Sequence, residues 1–199
     1  MTAHTSRTAL MLVALLFASA SSAVAQDNAR KLFEAGKYDA VIEQTAGDPA
    51  PASAYLNGLT HLKLNQPAEA KSAFQRLGRA DEAWQAVGQS AIALSDGNRD
   101  AALASARMAV SKNAGLAEAQ YQLGLALEQT GDNGAAAEAF AKAAELSPQM
   151  AYAHYYAGMN FYKARRIDRM AVYFENFLKL APNAPERPAV ESIMRTVRG

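Results

Sequence analysis

Residues 117–150 read AEAQYQLGLALEQTGDNGAAAEAFAKAAELSPQM, and residues 151–184 read AYAHYYAGMNFYKARRIDRMAVYFENFLKLAPNA. At an offset of 34 positions, Tyr121, Gly124, Leu127, Phe140, Ala143 and Pro148 recur as Tyr155, Gly158, Phe161, Phe174, Phe177 and Pro182. A fixed period of this length marks a stack of supersecondary units. Within the first unit Ala135, Ala136, Ala139, Phe140 and Ala143 share a stripe of helical period, so each unit reads as a pair of amphipathic helices. Gly131-Asp132-Asn133-Gly134 supplies the turn inside the pair, and Gly97-Asn98 supplies an equivalent one. Ser147-Pro148 is expected to open the following helix, as N-cap and first helical residue.

Toward the N-terminus the pattern weakens but persists. Gly97, Ala102 and Ala106 lie one period before Gly131, Ala136 and Phe140. Tyr55, Gly58, Ala70 and Phe74 lie 66 positions before Tyr121, Gly124, Ala136 and Phe140. That is two periods less two residues, which places a shortened turn near Gly78-Arg79-Ala80.

The pattern resembles the tetratricopeptide repeat, a helix–turn–helix unit with small residues at positions 8, 20 and 27, an aromatic at 24 and proline at 32. Residues 117–150 match every place, and residues 151–184 match with Met170 and Phe177 in slots meant for small residues. Residues 51–82 and 83–116 match less fully, and a degenerate unit spans 28–50 around Gly36-Lys37-Tyr38-Asp39-Ala40. The resemblance implies an all-α fold, a right-handed α–α superhelix over residues 26–184. Residues 185–199 carry Val190, Ile193, Met194 and Val197 against Arg187, Glu191, Arg195 and Arg198. Such a polar-faced helix is what a solenoid needs to cap its open end.

The first 25 residues read separately. One positive charge at Arg7 precedes an uncharged run, Ala9 to Ala20, and Ala23-Val24-Ala25 offers a small-residue cleavage site. This is a signal-peptide pattern, with a run too short to span a membrane. The expectation is export through cleavage before Gln26 and a periplasmic or secreted location, with membrane contact only peripheral if any.

Composition narrows the function. The chain has 20 basic and 19 acidic side chains and no cysteine. Near-neutral charge argues against a nucleic-acid partner, and the absence of cysteine removes disulfides, thiolate metal sites and cysteine nucleophiles. No HExxH, GxSxG, P-loop or GxGxxG pattern occurs, so no cofactor, metal or enzymatic activity is expected. His61 and His154 read as buried, hydrogen-bonded core histidines in non-adjacent repeats, and Asp81, Glu82 and Asp100 as helix-start residues.

What remains is a surface for a partner. The resemblance implies binding on the concave face through positions 2, 5, 9, 12 and 13 of each first helix. These positions hold Tyr55, Trp84, Tyr121, Tyr152, Tyr155 and Tyr162, rigid half-polar anchors of the kind enriched at binding hot spots. Some of these rings could instead pack against the neighbouring helix; the groove reading centres on Tyr121, Tyr155 and Tyr162. Asn57, Asn160, Lys63 and Lys163 are present but not in the places that clamp a C-terminal carboxylate. From residue 163 onward there are eight basic against four acidic side chains, and Lys163, Arg165 and Arg166 cluster beside Tyr162. The expected function is a non-catalytic protein–protein interaction scaffold or adaptor in the periplasm that holds a protein or peptide partner in an aromatic groove. The alternative is a carrier or sensor of a small apolar ligand in the same groove.

Overall fold

A computed structural model describes residues 24–198. The expected signal segment falls outside them apart from Val24 and Ala25. The described residues are helical with no strand: α1 over residues 24–34, α2 (Tyr38–Thr45), α3 (Pro51–Lys63), α4 (Pro67–Gln75), α5 (Glu82–Ser95), α6 (Arg99–Lys112), α7 (Ala117–Thr130), α8 (Asn133–Leu146), α9 (Ala151–Lys163), α10 (Ile167–Leu180) and α11 (Arg187–Arg198). From α3 to α10 the helices pack as hairpins, and each hairpin stacks on the next. A 3-10 turn, Arg76–Arg79, sits where the repeat spacing loses two residues. There α5 lies so close to the end of α4 that a Cβ on Gly88 would come within 2.8 Å of the Phe74 carbonyl oxygen.

Why the sequence stacks this way is clearest at one recurring contact. A Cβ on Gly58, Gly124 or Gly158 would fall 2.3, 2.7 and 2.4 Å from the rings of Phe74, Phe140 and Phe174 respectively. Each ring stands 16 residues after its glycine, on the second helix of the pair, and each is buried. Glycine at position 8 therefore lets the aromatic at position 24 lie flat against the first helix, and burying such a ring is worth roughly 1.5–3 kcal/mol. The 83–116 unit has Ser90 and Ala106 in these places. Ser90 replaces the ring contact with a hydrogen bond from Oγ to the Ala102 carbonyl at 2.8 Å.

Each turn inside a pair contains one residue with left-handed backbone: Gly36, Asn65, Gly97, Gly131 and Arg165, with φ from 57° to 85°. Caps follow the sequence in part. Asp81 accepts from the Ala83 and Trp84 amides, Asn98 from Ala101 and Asp132 from Ala135. The expected Ser147-Pro148 start is displaced: Ser147 ends α8, and α9 begins at Ala151 with Met150 before it and no cap from its own neighbours. Instead Glu34 Oε1, from α1, accepts the Ala151 N–H at 3.0 Å. At the far end α11 packs on α10, and its Val190 and Met194 are buried in the same core as Phe174 and Phe177, as expected of a capping helix.

That Glu34 contact belongs to a wider closure. Phe33 meets the edge of Tyr152 with ring centroids 5.2 Å apart. A Cβ on Gly36 would lie 3.1 Å from Pro185, and Lys63 Nζ pairs with Glu186 Oε1 at 2.7 Å. The first helix pair thus touches the last, and the superhelix folds across its own concave face.

Candidate partner-binding face

The closure sorts the tyrosines into two groups. Tyr55, Tyr121 and Tyr152 are buried. Their expected place on an open groove is corrected: α1 and the segment leading into α11 lie over them. The hydroxyls of Tyr55 and Tyr152 are tied down accordingly. Tyr55 donates to Gln122 Oε1 at 2.7 Å, Gln122 Nε2 donates to Ser90 Oγ at 3.2 Å, and this chain runs wholly through the interior. Tyr152 donates to Glu186 Oε2 at 2.7 Å, and Lys63 Nζ sits 4.7 Å over its ring. Burial pushes all three phenols above their ordinary acidity range, so they stay neutral donors.

Between these rings a small pocket of about 60 Å³ remains. Phe33, Tyr55, Tyr121 and Tyr152 form its aromatic wall, and Arg30, Glu34 and Glu118 are its charged residues. Burial raises the Glu34 carboxyl to about 7, although the Ala151 N–H and Arg30 pull the other way. Burial likewise raises Glu118, against the pull of its own backbone N–H and of Arg30.

The second group faces outward, at the C-terminal ends of the first helices. Tyr162 is 39% exposed and Leu62 is 41% exposed, and both occupy position 12 of their repeats. Tyr155, Met159, Leu59 and Leu125 are half-buried beside them, while Trp84 packs edge-on to Tyr55 with centroids 6.1 Å apart. Tyr155 itself leans on Tyr152, Tyr156 and Phe177, with centroids 5.1 to 5.9 Å away, so part of its ring belongs to the core.

The basic cluster is mostly paired. Lys163 Nζ reaches Glu128 Oε1 at 2.5 Å, and Arg166 and Arg169 both bond Glu138. Arg165 is the exception: it is exposed, with no ion pair or side-chain hydrogen bond among the described residues. Of the clamp-type residues, Asn57 donates to Thr45 Oγ1 and Asn160 to the Tyr156 carbonyl, both inside the fold. His154 is buried as expected, with Nε2 donating to the Pro148 carbonyl at 3.1 Å. His61 corrects its core assignment: it is half-buried and bonds Gln66 Oε1 at the turn after α3. Among the described residues no group of three or more acidic or histidine side chains could hold a metal ion, and no helix is long and apolar enough to cross a membrane.

Tetratricopeptide-repeat family patterns match residues 117–150 and again residues 152–184. The chain is a tetratricopeptide-repeat protein. No curated protein matches it in sequence. Among solved structures it is similar to YrrB, described as a TPR protein with an unusual peptide-binding site. That match has 20% identity and a TM-score of 0.53, over 79% of this chain and 81% of that one. It is also similar to MamA, at 21% identity and TM-score 0.48 over 72% of this chain and 84% of that one. MamA from Desulfovibrio magneticus RS-1 gives 19% and 0.48 over 79% and 93%.

In tetratricopeptide terms, sequence reasoning missed Glu34, Gln122, Tyr156 and Glu186. A signal existed for one of them. Gln122 stands 34 positions before Tyr156 and 66 after Leu56, a polar residue where its counterparts are apolar. Tyr156 fills its own place by stacking on Phe140 at 5.2 Å.

Proposed function

We propose that this tetratricopeptide-repeat protein is a non-catalytic interaction scaffold of the bacterial periplasm. It seats an apolar segment of a partner protein on the open lip formed by α3, α7 and α9. The observation that carries this is the pair of large apolar side chains, Leu62 and Tyr162, left exposed at the same repeat position. Half-buried Tyr155, Met159 and Leu125 extend that surface, and aromatic anchors with a polar end suit such contacts. The export pattern of residues 1–25 supports the compartment, and the described peptide-binding site of YrrB, a protein of similar fold, is consistent with the class of ligand. A carrier of acyl chains is disfavoured, because the interior pocket of about 60 Å³ is far smaller than the roughly 300–1,000 Å³ of ordinary ligand cavities.

The test is capture from envelope extract by the intact protein and by Tyr162→Ala, with melting curves of both. Loss of a specific captured protein from a variant that still folds supports the scaffold reading. Equal capture by both proteins removes Tyr162 from the site.

A further inference from the structure

The pocket enclosed by α1, α3, α7 and α9 has a wall and a charge that fit one kind of guest. Four aromatic side chains line it, and its charged residues are two carboxylates, Glu34 and Glu118, against one guanidinium, Arg30. Glu34 is only 6% exposed and accepts the Ala151 N–H through its Oε1. Neither carboxylate lies within ion-pair distance of a cation among the described residues; the nearest side-chain bond of Arg30 is a long 3.5 Å one to Ser147 Oγ. Withdrawing a carboxylate from water without a paired cation is costly, and aromatic faces attract cations. The Tyr55 and Tyr152 hydroxyls of the wall are already engaged with Gln122 and Glu186, which holds those two rings in place.

We propose that this pocket receives the ammonium end of a lysine side chain from the partner protein. The inference rests on the scaffold reading and adds to it the chemistry of one contact. With Glu34 and Glu118 ionised, the state an entering ammonium favours, two carboxylates face one guanidinium; that balance selects a cation over the acidic tails that basic clamps hold, and the pocket has room for one side-chain tip, not for a bulky ligand. The open lip is continuous with it, because Leu59 lines the pocket and Leu62, one turn on along α3, is exposed on the lip.

An amide chemical-shift titration of the full protein tests this, using Nα-acetyl-lysine methylamide and its norleucine counterpart as probes. Saturable shifts at Ala151 and Tyr55 with the lysine probe and none with norleucine are expected. Glu118→Gln, at a carboxylate with no ion pair or side-chain hydrogen bond to another residue among the described residues, should fold normally and weaken the lysine response by about tenfold, the loss of one charge-assisted contact. Equal responses to the two probes, or an unchanged response in Glu118→Gln, overturns the proposal. So does a stronger response to putrescine than to the lysine probe, which assigns the pocket to a free amine. The two readings fail separately. If Glu118→Gln captures the partner as well as the parent while Tyr162→Ala does not, the scaffold stands and the lysine pocket falls. Lysine shifts with no partner captured by the parent or by either variant support the ammonium site and sink the scaffold.

Discussion

The carboxylate of Glu34 at the end of α1 caps the first amide of α9, Ala151, from 117 positions away at 3.0 Å. Helix starts are normally capped by a side chain a few residues before them, and α9 has none. A first-repeat carboxyl supplies the acceptor, so the cap also ties the two ends of the superhelix together.

This relationship carries a pH signature. Burial raises the Glu34 carboxyl from an ordinary 4.5 to about 7, so between those values the folded chain holds a proton that the unfolded chain has released. The stability this confers is full below about pH 4.5 and is lost as pH rises through about 7, a change of about 3 kcal/mol. His154 acts in the opposite sense: burial lowers it, so its contribution is lost as pH falls below its ordinary 6.5. Comparison with Glu34→Gln isolates the carboxyl, since glutamine keeps the acceptor for Ala151 and cannot ionise. Urea midpoints should be similar for the two proteins near pH 5, with Glu34→Gln the more stable near pH 8. Parallel pH profiles would remove the carboxyl from the closure.

The Tyr55–Gln122–Ser90 chain joins three successive repeats through their interior. Tyr55→Phe leaves the Gln122 oxygen without its donor and should cost about 1–3 kcal/mol. Replacing both partners, as Tyr55→Phe with Gln122→Met, should cost less than the two single losses combined, because no half-satisfied pair remains. Denaturant unfolding of the four proteins measures the coupling; strict additivity would mean the bond contributes nothing.

Two glycines ten residues apart should respond with opposite signs. Gly124→Ala forces a methyl to 2.7 Å from the buried Phe140 ring and should destabilise by about 1–3 kcal/mol. At Gly134, in the first turn of α8, a Cβ would meet only Asp132 Oδ1 at an ordinary 3.7 Å. Gly134→Ala should be neutral or stabilising by up to about 1 kcal/mol. Thermal melts that rank the two in reverse would refute the packing account of position 8.

The contrast shows which parts of this protein the sequence announces. Gly124 and Phe140 are readable because every unit repeats the same contact, so the period exposes it. The Glu34 cap and the Lys63–Glu186 pair occur once, between residues 117 and 123 positions apart, and no period points to them. Glu34 moreover bonds a backbone amide, which has no residue type to recognise. Tyr55, Tyr121 and Tyr155 share position 5 of their repeats and are readable for the same periodic reason. Whether a face is open depends on what lies over it, here α1 through Phe33 and the segment leading into α11 through Glu186, and no period announces those contacts. Hence Tyr162 stays at the surface while Tyr121, at position 5 of its repeat, is enclosed.

Arg165 separates fold from function most sharply. It holds left-handed backbone, φ 58°, at a turn place that three other units give to glycine. For a residue with a Cβ this conformation costs roughly 1–2 kcal/mol. Its side chain offsets none of that cost, having no partner among the described residues, and it stands three positions after the exposed Tyr162. Arg165→Gly should therefore stabilise the protein by about 1 kcal/mol in urea unfolding. If the charge serves an approaching partner, the same substitution should slow association and flatten its salt dependence while leaving dissociation nearly unchanged. A variant that is stabilised and captures its partner at the parental rate would show that the arginine has no part in binding.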